Sequence, residues 1–469
     1  MVHCPQEFPS PTDGTHCNLN SLLTRFVPVA ISITVGLLYP ALCIASGGDS
    51  GHDSGHADDS LGTVVALVLA VGCAYLLTHF VVDVLQRRFL LSTNVEYVLL
   101  GVLLGPTAAA VPGFEDLTPI APLIALAAGW IGLLYGMELE LQKLLTTRNH
   151  SLRLSLMDGA GVILPVVFAA QWFFQSSLIL RWLPQPIPTE ASWLGACVLG
   201  FTAWAGSSDA LSVVKRQYNV EGPLVRTLRQ TAHLGDMLAI AAMGFLFCAY
   251  HESVVTSADM RTPTSVEWGV ITIAIGALLG GLFTVFIGKD TSEDHLLLPL
   301  AGIITFAAGA AFFLDLSPLL INLVLGAVLA NTAAQGMHAR KTLEGTVRPI
   351  SLILLVFAGV LWSPPALWPT VIASVGLIVL RVTGKMGFVW LATLGTNVRR
   401  DAFRGLVGQG HVAVAMALSF KLVFHGPVVD ITYTAILVSV IFHELLAPYL
   451  LKGLLVDAGI IRREARVEA

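Results

Sequence analysis

From Leu61 to Gly453 the chain alternates long apolar runs with short polar intervals. The runs fall at 61–86, 93–112, 119–140, 154–175, 192–214, 229–250, 268–288, 295–314, 317–335, 349–363, 369–394, 405–424 and 430–453. Most approach the ~20 residues that an α-helix needs to cross a hydrocarbon core, and several are short or broken by Gly and Pro. The pattern predicts an all-α polytopic membrane protein with thirteen transmembrane helices. The intervals supply the orientation. Lys and Arg gather in every second one: Arg87 and Arg88, Lys143 to Arg153, Lys215 to Arg229, Lys289, Arg340 to Arg348, Arg399 to Arg404, and from Lys452 onward. The intervals between them hold only Arg181 and Arg261. Under the positive-inside rule the first span starts outside and the C-terminus is cytoplasmic, the arrangement of a multi-pass bacterial-type inner membrane protein. A missed span would scramble this alternation downstream, so the asymmetry also tests the span count.

The region before Leu61 reads differently. Arg25 precedes an apolar run from Phe26 to Ile44, followed by Ala45, Ser46, Gly47 and Gly48. A positive flank, a short apolar core and small residues resemble a secretory signal peptide, with a genuine extra membrane helix as the alternative. The polar, Pro-containing lead before Arg25 also raises a translation start near Leu22. Residues 47–60 are rich in Gly, Ser, Asp and His, and His52, His56, Asp53, Asp58 and Asp59 could collect a divalent metal. A solvated periplasmic linker is the simpler reading, because nothing there fixes a coordination geometry. The expected organisation is a signal-like segment at 1–46, the linker at 47–60, a membrane domain at 61–454 and a short cytoplasmic tail at 455–469.

Composition agrees with the apolar pattern. Charged residues are 12% of the chain, about half the share of a soluble protein of this size. A net charge of −5 offers no basic surface for nucleic acid. The six cysteines form neither a disulfide framework nor a metal-ligand spacing, and no cofactor is expected.

Against this background the acids inside apolar runs stand out. An Asp in hydrocarbon costs about 2.5–3.5 kcal/mol on insertion scales, so it faces a cavity or a partner and marks an ion or proton path. Asp209 follows Thr202, Gly206, Ser207 and Ser208, residues that suit a broken helix whose freed carbonyls could hold a cation. Its alternative is a place at a segment end beside Lys215 and Arg216. Asp236 lies deeper in the next run. Counted from the inner end of each span, Asp209, Asp236, Lys385 and His411 lie about five to nine residues deep, one layer at ~1.5 Å per residue. The spans of Asp209 and His411 run in opposite directions and are both Gly-rich at the polar point, the mark of an inverted-repeat transporter with its site where broken helices cross. Glu96 and Asp158 are equally deep, so depth alone does not select the site. Arg381 and Lys385 share a helix face, and Arg381 could instead bond neighbouring carbonyls. His411 and His233 are candidates for pH modulation or for plain packing, Trp204 reads as packing, and His443 with Glu444 is expected away from the crossing.

Several motifs then carry a resemblance. Glu96-Tyr-Val-Leu-Leu-Gly101-Val-Leu-Leu-Gly105-Pro106, Leu133-Leu-Tyr-Gly-Met-Glu138-Leu-Glu140 and Ser207-Ser-Asp209-Ala occur in order. Leu316-Ser-Pro318, Leu325-Gly-Ala-Val-Leu-Ala-Asn331 and Gly384-Lys385-Met-Gly387 follow. From Leu61 to Leu455 the chain resembles the monovalent cation/proton antiporter superfamily. That resemblance implies a sodium/proton antiporter-like fold, a homodimer in the lipid bilayer, and elevator-like motion of a core bundle. It also implies that Asp236 is the ion- and proton-carrying carboxylate, with Asp209 assisting from the broken helix and Lys385 as the core basic residue. The cation, Na+ or K+, would sit at Asp236 and Asp209, with Thr202, Ser207 and Ser208 nearby.

Two departures are visible. Gly235 stands where the family usually has Asn, Asp or Gln before the essential Asp, and Gly410-His411 stands where relatives often have Gly-Glu. With no acid at 235, Lys385 must pair elsewhere, Asp209 being the candidate, or stay neutral. Either way the carrier has equal charge with a proton or a monovalent cation on Asp236, which predicts electroneutral exchange. The alternatives are a gated potassium-efflux-type channel, disfavoured because no Gly-rich nucleotide-binding pattern follows Gly453, and a non-transporting ion sensor.

Overall fold

The computed structural model describes residues 94–105, 120–140, 149–180, 182, 187–251, 263–287, 297–332, 340, 343, 345–365, 367–394 and 398–461. All belong to one compact unit, Ala74–Ala469. The signal-like segment, the linker and the first apolar run at 61–86 lie outside the described residues.

Apolar runs become helices because, away from water, the backbone must satisfy its own N–H and C=O groups. In chain order they are α1 (Asn94–Leu104), α2 (Ala121–Gly136), α3 (Asn149–Phe174), α4 (Thr189–Trp204), α5 (Asp209–Tyr218), α6 (Pro223–Ala249) and α7 (Ser265–Ile287). They continue with α8 (Leu297–Phe313), α9 (Pro318–Thr332), α10 (Val347–Val360), α11 (Leu367–Thr393), α12 (His411–Val423) and α13 (Pro427–Asp457). No strand occurs among the described residues. Among the described residues, six helical stretches are long and apolar enough to cross a membrane, including the α4–α5 stretch Thr189–Lys215, and five shorter apolar helices accompany them.

Two apolar runs are not single helices. The run at 192–214 divides between α4 and α5, leaving Ala205 to Ser208 unwound. The run at 405–424 begins with the end of a 3-10 turn, Ala402–Gly405, and becomes α-helical only at His411. Gly206, Ser207 and Ser208 mark the first break and Gly408 and Gly410 the second; Ser competes for backbone hydrogen bonds, and Gly loses the most backbone entropy in a helix.

Among the described residues, two separate apolar clusters hold helices together. One gathers Leu154 of α3, Leu211 and Val214 of α5, Leu228 of α6, Val389 of α11 and Leu454 of α13. The other gathers Leu133 of α2, Met137 just past its end, Phe283 of α7, Ile304 of α8, and Ile321 and Leu325 of α9. Helix α6 touches both, through Val225, Leu228 and Ala232 in the first and Cys248 in the second. Asp236 lies on the stretch between. Helices α2 and α9 cross so closely that a Cβ on Gly132 would overlap the Leu319 carbonyl. That crossing sets the position of the end of α2 that reaches the site.

Candidate functional site

The two breaks meet. The Gly410 N–H donates to the Gly206 carbonyl at 3.2 Å. The approach is close: a Cβ on Gly410 would stand 2.9 Å from Ser207 Oγ and 3.2 Å from Asp209 Oδ2, so a side chain there would press on both. Several of the carbonyls freed by the unwinding accept protein donors, as burial away from water favours. Arg381, fully buried on α11, donates from Nε to the Ala203 carbonyl at 2.8 Å and from Nη2 to Ala205 at 3.1 Å and Gly408 at 2.8 Å. Its Nη1 donates to the Val407 carbonyl. One planar guanidinium therefore ties carbonyls of both breaks together, a use for which its fixed fork of donors suits it. Gln409 adds a tie, donating from Nε2 to the Thr202 carbonyl at 2.9 Å.

Asp236 closes the arrangement. It is 1% exposed. Its Oδ1 accepts from the Gly206 N–H at 2.7 Å, and its Oδ2 accepts from the Tyr135 hydroxyl at 3.0 Å. The first bond couples the carboxylate directly to the unwound segment. Asp209 opens α5, its own N–H donating to Ser207 Oγ at 3.2 Å, and its Oδ2 lies 3.3 Å from His411 Nδ1. Asp209 and His411, each at the start of the helix that follows a break, thus form a second polar pair. Of the remaining candidates, Thr202 turns its hydroxyl back onto Val198 and Leu199 of its own helix. Ser208 precedes α5 with no side-chain capping bond. His233 Nδ1 stands 3.3 Å from Glu138 Oε2, beside the Arg340–Glu138 ion pair of 3.0 Å.

Two sequence expectations need correction. Lys385 does not pair with Asp209: its Nζ lies 2.6 Å from Asp158 Oδ2, so the acid opposite the core lysine comes from α3. The space beside Gly235 is bordered by Ser155 Oγ and the Trp204 indole nitrogen, whose N–H donates to the Ser155 carbonyl at 3.2 Å. Nor does His443 lie apart from the crossing. Ser439 Oγ donates to Gln409 Oε1 at 2.7 Å and lies 3.2 Å from His443 Nδ1, and both His443 and Glu444 are fully buried. The carbonyls of Thr202, Ala203, Ala205 and Gly206 each accept one protein donor.

Sequence reasoning missed Tyr135 altogether, although it stands inside the Leu133–Glu138 motif. Only its position one turn before the polar end of an apolar helix hinted at it.

A polar crossing of two broken helices around one buried acid is a cation-transport geometry, and comparison with known proteins agrees. The family model for the transmembrane sodium/hydrogen exchanger matches residues 73–456. The chain belongs to the sodium/hydrogen exchanger family. This exchanger is a multi-pass membrane protein, and the activity that accompanies its family is exchange of a cation for protons. Its fold is similar to that of the sodium proton antiporter MjNhaP1 from Methanocaldococcus jannaschii at pH 8. That match has a TM-score of 0.56 and 15% identity, and covers 86% of this chain and 98% of the other. An electron-microscopy structure of the same antiporter matches with a TM-score of 0.54 at 14% identity, covering 86% and 99%. Among curated proteins no relative matches the sequence.

Proposed function

We propose that the exchanger carries Na+ or K+ against H+ by competition for Asp236. The observation that carries this reading is the Gly206–Asp236 hydrogen bond, which joins the one deeply buried carboxylate of α6 to the unwound backbone at the crossing. A neutral, protonated Asp236 and an ionised Asp236 holding one monovalent cation have the same charge, so one-for-one exchange moves no net charge. Asp209 and Ser207 supply further oxygens from the first break, and His411 and His233 tune the response to pH. Lys385 keeps its charge opposite Asp158 and drops out of the charge count. Arg381 acts as the strut that holds the crossing. Two apolar clusters with separate memberships, joined through α6, support an elevator-like movement of one bundle against the other. A homodimer and an inner-membrane setting with the mature N-terminus outside belong to the same proposal, as does removal of a leading signal peptide.

The test is flux in liposomes reconstituted with the exchanger, with and without a pH gradient, across a Na+, K+ and Li+ series. Gradient-driven exchange is expected for the native chain and none for Asp236→Asn, which keeps the shape and removes the exchangeable charge. Cation flux independent of the proton gradient would favour a channel. Robust exchange by Asp236→Asn at any pH would remove Asp236 from the centre of the mechanism.

A further inference from the structure

The Tyr135 hydroxyl is the one side-chain donor the described residues place on Asp236, and the two residues sit beside different apolar clusters. Leu133 of α2 and Met137 just past its end belong to one cluster, whereas Ala232, one turn before Asp236, belongs to the other. Tyr135 is 7% exposed, and its ring sits tilted against His233 and His411 at centroid separations of 5.8 and 6.4 Å. The ring is thus packed, and the hydroxyl is aimed.

We propose that Tyr135 is a positioning residue that sets the balance between proton and cation on Asp236 across the seam between the two clusters. The proposal rests on the exchange reading above. A phenol can both donate and accept. Toward an ionised Asp236 it donates, a charge-assisted bond; toward a protonated Asp236 it accepts from the acid, a neutral bond about half as strong. The hydroxyl therefore favours the ionised, cation-receptive form. Its oxygen also adds a lone pair beside the carboxylate where a dehydrated cation would sit. The other charged groups acting on Asp236 are Asp209 of α5, His411 of α12, and Arg381 and Lys385 of α11, with His233 one turn away on α6. Tyr135→Phe leaves all of these and both ring contacts in place.

The measurement is exchange by the full-length protein in liposomes as a function of pH and of Na+ and K+ concentration. Loss of one charge-assisted bond to the ionised form predicts a pH midpoint displaced upward by about one unit, equivalent to a tenfold change in competition. At a fixed pH the apparent KM for the cation should rise about tenfold, with the rate at saturating cation and high pH retained. Trp130→Phe is the control on the same helix; it removes a bond to Thr346 Oγ1 and should leave both quantities unchanged. A Tyr135→Phe exchanger with native midpoint and KM would overturn the proposal, as would a lower maximal rate with midpoint and KM unmoved, the signature of a purely structural hydroxyl. Should Tyr135→Phe fail to accumulate folded, Tyr135→His, which keeps a ring donor, must lie nearer the native midpoint than Tyr135→Leu, and the reverse order would sink the idea. If the native chain itself showed no exchange, the transport reading would fall first, a result distinct from any of these.

Discussion

Removing Asp158 should be among the most damaging single changes in the exchanger, and the effect should be curable from a distant position. Lys385 Nζ and Asp158 Oδ2 are 2.6 Å apart, with side chains 1% and 6% exposed. At that separation and an effective dielectric of about 20, the attraction is roughly 6 kcal/mol. Desolvation of both charges offsets much of it, so the pair itself adds little over a well-packed apolar replacement. Breaking it is another matter. Asp158→Asn leaves the Lys385 ammonium buried near the Arg381 guanidinium, and a lone buried charge of that kind costs about 3–5 kcal/mol. Arg381 feels Asp158 as well, so the strut across the two breaks loosens with it. The assay is thermal unfolding of the purified exchanger in lipid nanodiscs for Asp158→Asn, Lys385→Met and the double variant. Asp158→Asn should lower the midpoint by many degrees, and the double variant should lie closer to the native protein than Asp158→Asn does, because it removes the orphaned charge. The cycle should therefore be strongly non-additive, as expected of two residues in direct contact. Additive effects, or a native midpoint for Asp158→Asn, would show that Lys385 does not depend on Asp158.

Asp209→Asn should raise the apparent cation KM more than it lowers the rate at saturation, since it removes a supporting oxygen and not the exchanged proton; an equal loss at saturating cation would make Asp209 a second carrier. His411→Gln should move the pH profile if the imidazole beside Asp209 titrates during the cycle, whereas an unmoved profile would reduce His411 to packing. Exchange with the membrane potential clamped by an ionophore should proceed at a rate insensitive to that potential, with a reversal point of one proton per cation. A steep dependence on potential, or a reversal point at two protons, would mean that Lys385 releases its proton in spite of Asp158.

The helical class and most helix positions were legible in the chain, because hydropathy is a local property and the bilayer requirement turns each apolar run into a helix. The run at 229–250 became α6 at Pro223–Ala249, extended at its N-terminal end from Pro223, whose fixed φ suits the first helical turn. Even the breaks were readable: Gly206-Ser207-Ser208 and Gly408-Gln409-Gly410 announce that the helix cannot continue. Residue counting along the spans singled out Asp209, Asp236 and His411, and the structure gathers them around one crossing.

What the sequence could not supply was azimuth, the direction in which a side chain leaves its helix. Asp158 and Glu96 were as deep as Asp236, yet only the packing of α3 against α11 brings Asp158 to Lys385, 227 residues away. His443 was placed far from the crossing because its span is the last, whereas the contact of α12 with α13 links it through Ser439 to Gln409. Tyr135 carried no charge to attract notice, and its hydroxyl matters only because the close α2–α9 crossing sets where α2 ends. The sequence by itself determined that this protein is a membrane-embedded bundle of helices with acids inside its apolar runs. Tertiary structure alone decided which acid faces which base, since those pairings depend on helix rotation and crossing, which arise from contacts between residues hundreds of positions apart.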